Sequence, residues 1–364
     1  MSEELKTKIT VTAGELPQLI IDARRAGRPL MIHGSPGIGK SDAIQLASGM
    51  IAGHKTVVMQ GDVGPNPASE FGLFDVRLTT MGPEEFGLPS ADLETGVQRR
   101  LPVDWFPSTD RTDLPDHGIL LFEEVVTAVQ AVQAATFQIT HDRRLGDKVM
   151  KPGWSIVLTG NLLTDGGGVH KMLTPLANRM IHVYVVSSTD SWNDWALDNG
   201  IEDELVAFVR FRPELLNTFE DHVKKRSKDH AFATERTWHV VNDLIKDGGQ
   251  PHPAMLAGAV GQGPAMEFSA FRKVWASMPS IDGILMDPSG APVPEGAAVR
   301  YAVVTALASR ASGTNFAEIC QYIERMPAEF AVLTVKDCMR RHGGEITSTS
   351  AFLKAAQHYR EFLN

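Results

Sequence analysis

Eight residues constrain this chain more than any other stretch: Gly34-Ser35-Pro36-Gly37-Ile38-Gly39-Lys40-Ser41. An apolar run, Leu30-Met31-Ile32-His33, leads into them, and a helical pattern follows with Ala43, Leu46, Ala47 and Met50 on one face. Strand, glycine loop and helix in that order give G-x-x-x-x-G-K-[ST] the context of a phosphate cradle. The glycines let the backbone reach left-handed angles and come close to an anion. N–H groups of the loop and of the first helical turn have no intrahelical partners, and the helix dipole is positive there. Lys40 is placed to neutralise β- and γ-phosphates, and the Ser41 hydroxyl to ligate Mg²⁺. The plainer alternative is a glycine-rich turn before an ordinary helix; the strand before and the helix after argue against it. A bound nucleoside triphosphate is the expectation.

Around this loop the sequence predicts alternating buried strands and helices as far as residue 187. Ile9 and Val11 make a strand-like start, and a helix through Leu16, Leu19, Ile20 and Ala23 ends at Ala26-Gly27-Arg28-Pro29. Besides Leu30–His33, apolar strands are expected at Lys55–Met59, Ile119–Phe122, Ser155–Leu158 and Ile181–Val186, with helices at Ala128–Ile139 and Met172–Asn178 between the later ones. That order implies a mostly parallel sheet covered by helices on both faces. One strand ends in Glu123-Glu124 and another in Thr159-Gly160-Asn161, which sets two carboxylates and an amide where α/β sheets collect ligands. Residues 61–116 break the pattern with Gly, Pro and Asp turn signals, and a gap of that length is usually functional. Phe74–Leu78 and Val97–Leu101 read as small hairpins projecting from the core. Beyond Ser188 the patterns are helical, from Trp192, Trp195 and Ala196 after Ser191 to Ser350–Phe362, by way of Glu202–Phe211, a helix begun at Thr234, Ala297–Ser309, Phe316–Ile323 and Pro327–Arg340.

Composition narrows the function. A chain of 364 residues has room for about two or three domains. The formal net charge of −9 argues against a sequence-independent grip on nucleic acid as the main activity, although a local basic patch can exist in an acidic chain. Cys320 and Cys338 lack metal-ligand spacing and read as buried reduced thiols. The histidines show no H-E-x-x-H spacing, so no metal beyond Mg²⁺ is expected. Met1-Ser2-Glu3-Glu4 is no signal peptide and no apolar run is long enough for a bilayer, which makes a cytoplasmic protein without membrane contact the expectation. No N-K-x-D base-reading motif of GTPases is present.

The segments GSPGIGKS (34–41), VDWFP (103–107), ILLFEEV (119–125), VQAATFQITHDRRLGD (132–147), VLTGN (157–161), LANRM (176–180), ERTWHVV (235–241) and RMPAEFAVL (325–333) occur in an order that resembles an AAA+ ATPase, and more narrowly its MoxR-like branch. The resemblance implies an α/β P-loop core with a parallel five-stranded sheet over residues 1–187 (insert 61–116), an all-α lid over 188–250 and a C-terminal helical region over 251–364. It implies ATP and Mg²⁺ as cofactors. Nucleotide would bind on Gly34, Ser35, Pro36, Gly37, Ile38, Gly39, Lys40 and Ser41, and Glu123 with Ser41 would hold the metal. Glu124 would be the catalytic base, Asn161 sensor 1, Arg179 an arginine finger reaching a neighbouring subunit, and Arg236 sensor 2. Residues 61–107 and 141–152 would surround the pore of a homo-oligomeric, six-membered ring. The client would be a protein, in this branch often one with a von Willebrand factor A domain.

Three departures stand out: Glu123 where the family has Asp, Val126-Thr127 where it has Asn-Arg, and Glu235 where it has Pro before sensor 2. Each single residue also has a plainer reading. Asn161 could belong to a common Gly-Asn turn, Arg179 could pair within its own subunit, Arg236 could be a surface arginine, and Arg143-Arg144 a charged turn. Two rival functions remain at this point. One is a nucleotide-gated binding module with little turnover. The other is a DNA-associated motor with Arg77, Arg99, Arg100, Arg143 and Lys148 on its pore.

Overall fold

The computed structural model describes residues 5, 7–64, 66–92, 94, 96–100, 103–165 and 172–359, leaving aside the side chains of Asp92, Arg99 and Arg100. The expected features at Met1–Glu4, Leu101 and 360–362 lie outside the described residues. Contacts divide the chain into two units, Met1–Ser187 and Ser188–Asn364.

In chain order the first unit carries β1 (Thr10–Val11), α1 (Leu16–Arg25), β2 (Leu30–His33), α2 (Lys40–Ala52), β3 (Thr56–Met59), β4 (Glu70–Arg77), β5 (Pro89–Asp92), β6 (Val97–Arg100), β7 (His117–Glu123), α3 (Gln130–Asp142), β8 (Arg144–Leu145), β9 (Lys148–Val149), β10 (Gly153–Gly160), α4 (Thr174–Ala177) and β11 (Ile181–Val185). Seven strands form one sheet in the order β1-β11-β2-β10-β7-β4-β3, and every neighbouring pair is parallel. The other four make two small antiparallel ribbons, β5 with β6 and β8 with β9.

The sheet has seven strands rather than the five expected. β1, at the strand-like start around Val11, joins at one edge through two residue pairs, Thr10 with Tyr184 and Val11 with Val185. β4 is the larger correction: Phe74–Leu78 is not a projecting hairpin, because Glu70–Arg77 is a full strand between β3 and β7. Its Phe71, Leu73, Phe74 and Val76 are all buried. Gly72 interrupts that apolar run for a packing reason: a Cβ there would meet the Trp154 ring at 2.3 Å. Trp154 is 2% exposed and donates its indole N–H to the Pro115 carbonyl at 2.9 Å. Val97–Arg100 does form a hairpin with Pro89–Asp92.

Alternate residues of each strand face opposite layers. Leu30, Ile32, Leu73, Ile119 and Leu121 pack with Leu16, Ile20, Ala43, Ile44 and Ala47 of α1 and α2. Met31, Phe74, Val76, Leu120, Phe122, Ile156 and Leu158 pack on the other side with Val132 and Ile139 of α3 and with Trp105 and Phe106. A parallel sheet covered on both faces reads as nearly continuous apolar runs, and therefore β7 and β10 were visible from sequence.

The second unit is helical: α5 (Thr189–Asp198), α6 (Asp203–Phe211), α7 (Phe219–Lys224), α8 (Glu235–Ile245), α9 (Pro253–Val260), α10 (Gln262–Ala276), α11 (Ile281–Met286), α12 (Ala297–Ser309), α13 (Phe316–Ile323), α14 (Ala328–Ile346) and α15 (Ser350–His358). Thr234 caps α8, its hydroxyl accepting from the Thr237 N–H at 3.2 Å. One apolar cluster joins Trp192, Phe208, Trp238, Leu256, Phe268 and Ala302, so core packing is continuous across position 250. A second cluster is built on Val303, Leu307, Phe316, Tyr322 and Val335. Arg210 and Asp337, both buried, tie α6 to α14 by a two-pronged pair at 2.5 and 2.8 Å. Burial raises the Cys338 thiol and pushes Cys320 up to about 12, so neither is a ready thiolate at neutral pH. No helix among the described residues is long and apolar enough to cross a membrane.

Candidate active site

The glycine loop leaves β2 at its C-terminal end, and each glycine has a specific reason. Gly37 and Gly39 hold left-handed φ of 78° and 83°, which a residue with a Cβ adopts only at a cost. Gly34 is needed for space, since a Cβ there would meet Ile38 at 2.5 Å. Gly39 is the N-cap of α2, so Lys40 and Ser41 fall in its first turn. Lys40 Nζ donates to the Gly34 carbonyl at 2.6 Å and the Ser35 carbonyl at 3.0 Å, which holds the ammonium against the loop where phosphate oxygens would take over its bonds. The Ser35 hydroxyl donates to Asp165 at 3.1 Å, a contact across 130 residues that no motif announced.

Glu123 ends β7, beside β2's other neighbour in the sheet. It accepts from the Ser41 hydroxyl at 3.0 Å, so the two residues expected to hold a metal are brought together. The other Glu123 oxygen lies 3.0 Å from Arg77 Nη2. Arg77 faces Glu123 directly in the β4–β7 register, and Asp75, two residues earlier on the same face, faces Leu121. Burial and the nearby Glu123 push the Asp75 carboxyl up to about 6, and Arg77 draws it back. One Asp75 oxygen is buried without a hydrogen-bond partner. Neither Asp75 nor Arg77 was marked as a metal-site residue by the sequence.

Glu124, the next residue, has φ of +60°, uncommon for a side chain of its size. Asn161 Nδ2 donates to its carboxylate at 3.1 Å and the Thr127 hydroxyl at 2.8 Å. The amide at the end of β10 and the carboxylate that follows β7 are thus in contact. Thr127, one of the departures from the family pattern, makes the contact to Glu124 itself. Unpopular backbone angles held by surrounding bonds concentrate at functional sites.

The remaining candidates take no part in the contacts just described. Arg179, in the turn between α4 and β11, rests its guanidinium 4.1 Å from the Phe137 ring centroid and makes a long 3.4 Å contact to the Pro175 carbonyl. Arg236 is exposed in the first turn of α8, in the second unit. Arg143 is turned inward and donates to the carbonyls of Trp154 at 2.6 Å and Lys151 at 3.1 Å. Lys148 pairs with Asp110 at 2.6 Å. Of the cations expected on a nucleic-acid pore, Arg77, Arg143 and Lys148 therefore have partners inside this chain.

Behind the loop His33 stacks on His182 and Tyr184, with His33 Nε2 and His182 Nδ1 2.8 Å apart. Burial first, then the nearby His182, Lys40 and Lys8, lowers His33 to about 4. No sequence pattern announces this stack.

No protein-family model matches the chain, and no curated protein matches it in sequence. Among solved structures it is similar to NtrX from Brucella abortus in complex with ATP, at 14% identity over 98% of this chain and 69% of that one, with a TM-score of 0.35. The replication initiator DnaA bound to AMPPCP and single-stranded DNA matches at 14% identity over 95% of this chain and 93% of that one, with a TM-score of 0.33. A DNA replication initiation factor matches at 14% identity over 98% and 96%, with a TM-score of 0.34. These likenesses are remote, and the functional reading rests on the geometry of the site.

Proposed function

We propose that this chain is a Mg²⁺-dependent ATPase of the AAA+ type, active as a ring of identical subunits and using hydrolysis to remodel a protein partner. One observation carries the reading: a glycine loop with Lys40, the Ser41–Glu123 pair and the Asn161–Glu124 pair converge at the same end of one parallel sheet. Magnesium fits the donor set. It favours hard oxygens and usually takes one or two carboxylates, with water and phosphate completing its shell. Among the described residues no three His, Cys, Asp or Glu side chains could hold a metal alone, so the ion would arrive with the nucleotide. Ser41 and Glu123 would hold it there, and when bound it shields phosphate charge.

Phosphoryl transfer needs positioning and charge compensation more than covalent chemistry. Lys40 exchanges its two carbonyl contacts for phosphate oxygens. Glu124, oriented by Asn161 and Thr127, accepts the proton of the attacking water. Arg179, which among the described residues rests on a ring face and makes one long contact, serves the γ-phosphate of the adjoining subunit. Arg236 reports nucleotide state from the helical unit. The MoxR-like branch, a hexameric ring and a client with a von Willebrand factor A domain are the narrower form of the proposal, supported by the order of the matching segments.

A nucleotide-gated module with little turnover is the second reading, favoured by the Arg77 pair that occupies Glu123. Phosphate release measured against protein concentration separates the two. The proposal expects a steeper than linear rise, and Arg179→Ala should lower turnover ~10³-fold while nucleotide affinity stays. Full activity of that variant would reject the shared site.

A further inference from the structure

We propose that Asp75 and Arg77 set the magnesium affinity of this site: Asp75 anchors the water shell of the ion, and Arg77 is the cation that keeps its place until it arrives. This rests on reading the site as one for Mg²⁺–nucleotide. The residues belong neither to the glycine loop nor to the acidic end of β7. They come from β4, and strand register alone brings them in. Arg77 pairs with Glu123 across the β4–β7 ladder, and Asp75 stands two residues back on the same face. That face, marked by Leu73 and Leu121, is the one α2 covers, and Ser41 lies in the first turn of α2.

Two carboxylates near one hydroxyl require a positive charge, and the chain supplies one. Arg77 Nη2 lies 3.0 Å from Glu123 Oε2 and 3.9 Å from Asp75 Oδ2. Arg77 leaves one oxygen unserved, because Asp75 Oδ1 is buried and has no hydrogen-bond partner. An arginine fork already committed to Glu123 does not reach that oxygen, and only movement of a neighbouring group such as Arg77 would uncover it for a water on a hydrated ion. The side chains also differ in freedom. Those of Glu123 and Asp75 are 13% and 30% exposed and stay with the sheet, whereas Arg77 is 59% exposed and can swing away. Ion pairs of so exposed a partner are weak, so displacement is easy. Asp75 acts through water, since no set of three acidic or imidazole ligands closes on a metal among the described residues. Outer-shell partners of this kind tune affinity without being ligands.

The test uses the whole chain with Mn²⁺ in place of Mg²⁺, titrated by electron paramagnetic resonance in the presence of a non-hydrolysable ATP analogue. Affinity for a fluorescent ATP analogue is measured in parallel in EDTA, and thermal unfolding confirms the fold of each variant. Asp75→Asn should weaken Mn²⁺ about tenfold and leave nucleotide affinity in EDTA unchanged. Arg77→Gln should tighten Mn²⁺ several-fold, the opposite sign. Should Asp75→Asn fail to fold, Asp75→Ala provides the same readout. Unchanged Mn²⁺ affinity at position 75 overturns the role of Asp75. Weaker nucleotide binding in EDTA for Arg77→Gln places that guanidinium on phosphate and overturns its role as stand-in cation. Failure of the wild-type chain to bind nucleotide at all would remove the underlying reading of the site instead.

Discussion

The two ends of the seven-stranded sheet treat charge in opposite ways. Where β7 and β10 begin, cations sit on carbonyls. Arg24 donates to Gly153 and Gly118 at 2.8 and 2.9 Å, Lys151 to Leu114 at 2.6 Å, and Arg143 to Trp154 at 2.6 Å. Burial lowers the pKa of both Arg24 and Arg143, yet each guanidinium has the acceptors it needs. Where the same strands finish, beside Lys40 and Arg77, stand carboxylates. Glu123 shares itself between Ser41 and Arg77, Glu124 sits in a left-handed turn, and an Asp75 oxygen has no partner. A buried charge with every bond made is scaffold. One left short of partners, at the ligand-collecting end of a parallel sheet, marks where something else binds.

The largest test of that contrast is Glu124→Gln. It should cut single-turnover phosphate release by ~10³ and leave ATP bound, the loss expected of a general base. Next is His33, buried in the stack with His182 and Tyr184. Its pKa stands at about 4 against an ordinary 6.5, so between those values the unfolded chain binds the proton that the folded chain refuses. Stability should therefore fall as pH drops from 6.5 towards 4, by up to ~3 kcal/mol, and urea unfolding of His33→Gln should show a flatter pH profile. At the opposite end, Arg143→Ala leaves two carbonyls unmet and should cost about 2 kcal/mol in urea unfolding, with ATP affinity unchanged. A variant that kept its stability and lost nucleotide would break the comparison. The smallest effect belongs to Thr127→Val, which removes one of two donors to Glu124 and should lower turnover by less than about tenfold.

The glycine loop, the acidic strand end and Asn161 were legible because each is local: a few adjacent residues with the right strand or helix beside them. What register decides was hidden. Asp75 and Arg77 reach Glu123 only because β4 lies next to β7, and β4 itself was masked by turn-rich neighbours and by Gly72, which makes room for a tryptophan more than 80 residues away. In the sequence, Arg143 reads as a charged turn or a pore contact. Its real partners are backbone carbonyls, and no sequence pattern names those. At the Val126-Thr127 departure the Thr127 hydroxyl reaches the Glu124 carboxylate, a contact that the sequence pattern does not announce.

In the proposed function the carboxylate end of the sheet receives a magnesium–nucleotide complex. Equilibrium binding of ATP to the whole chain, with and without Mg²⁺, for wild type and Lys40→Ala, tests it directly. The account predicts one nucleotide per chain, held more tightly with Mg²⁺ and weakened at least about tenfold without the ammonium. Absence of binding, or an affinity indifferent to both Mg²⁺ and Lys40, would contradict it.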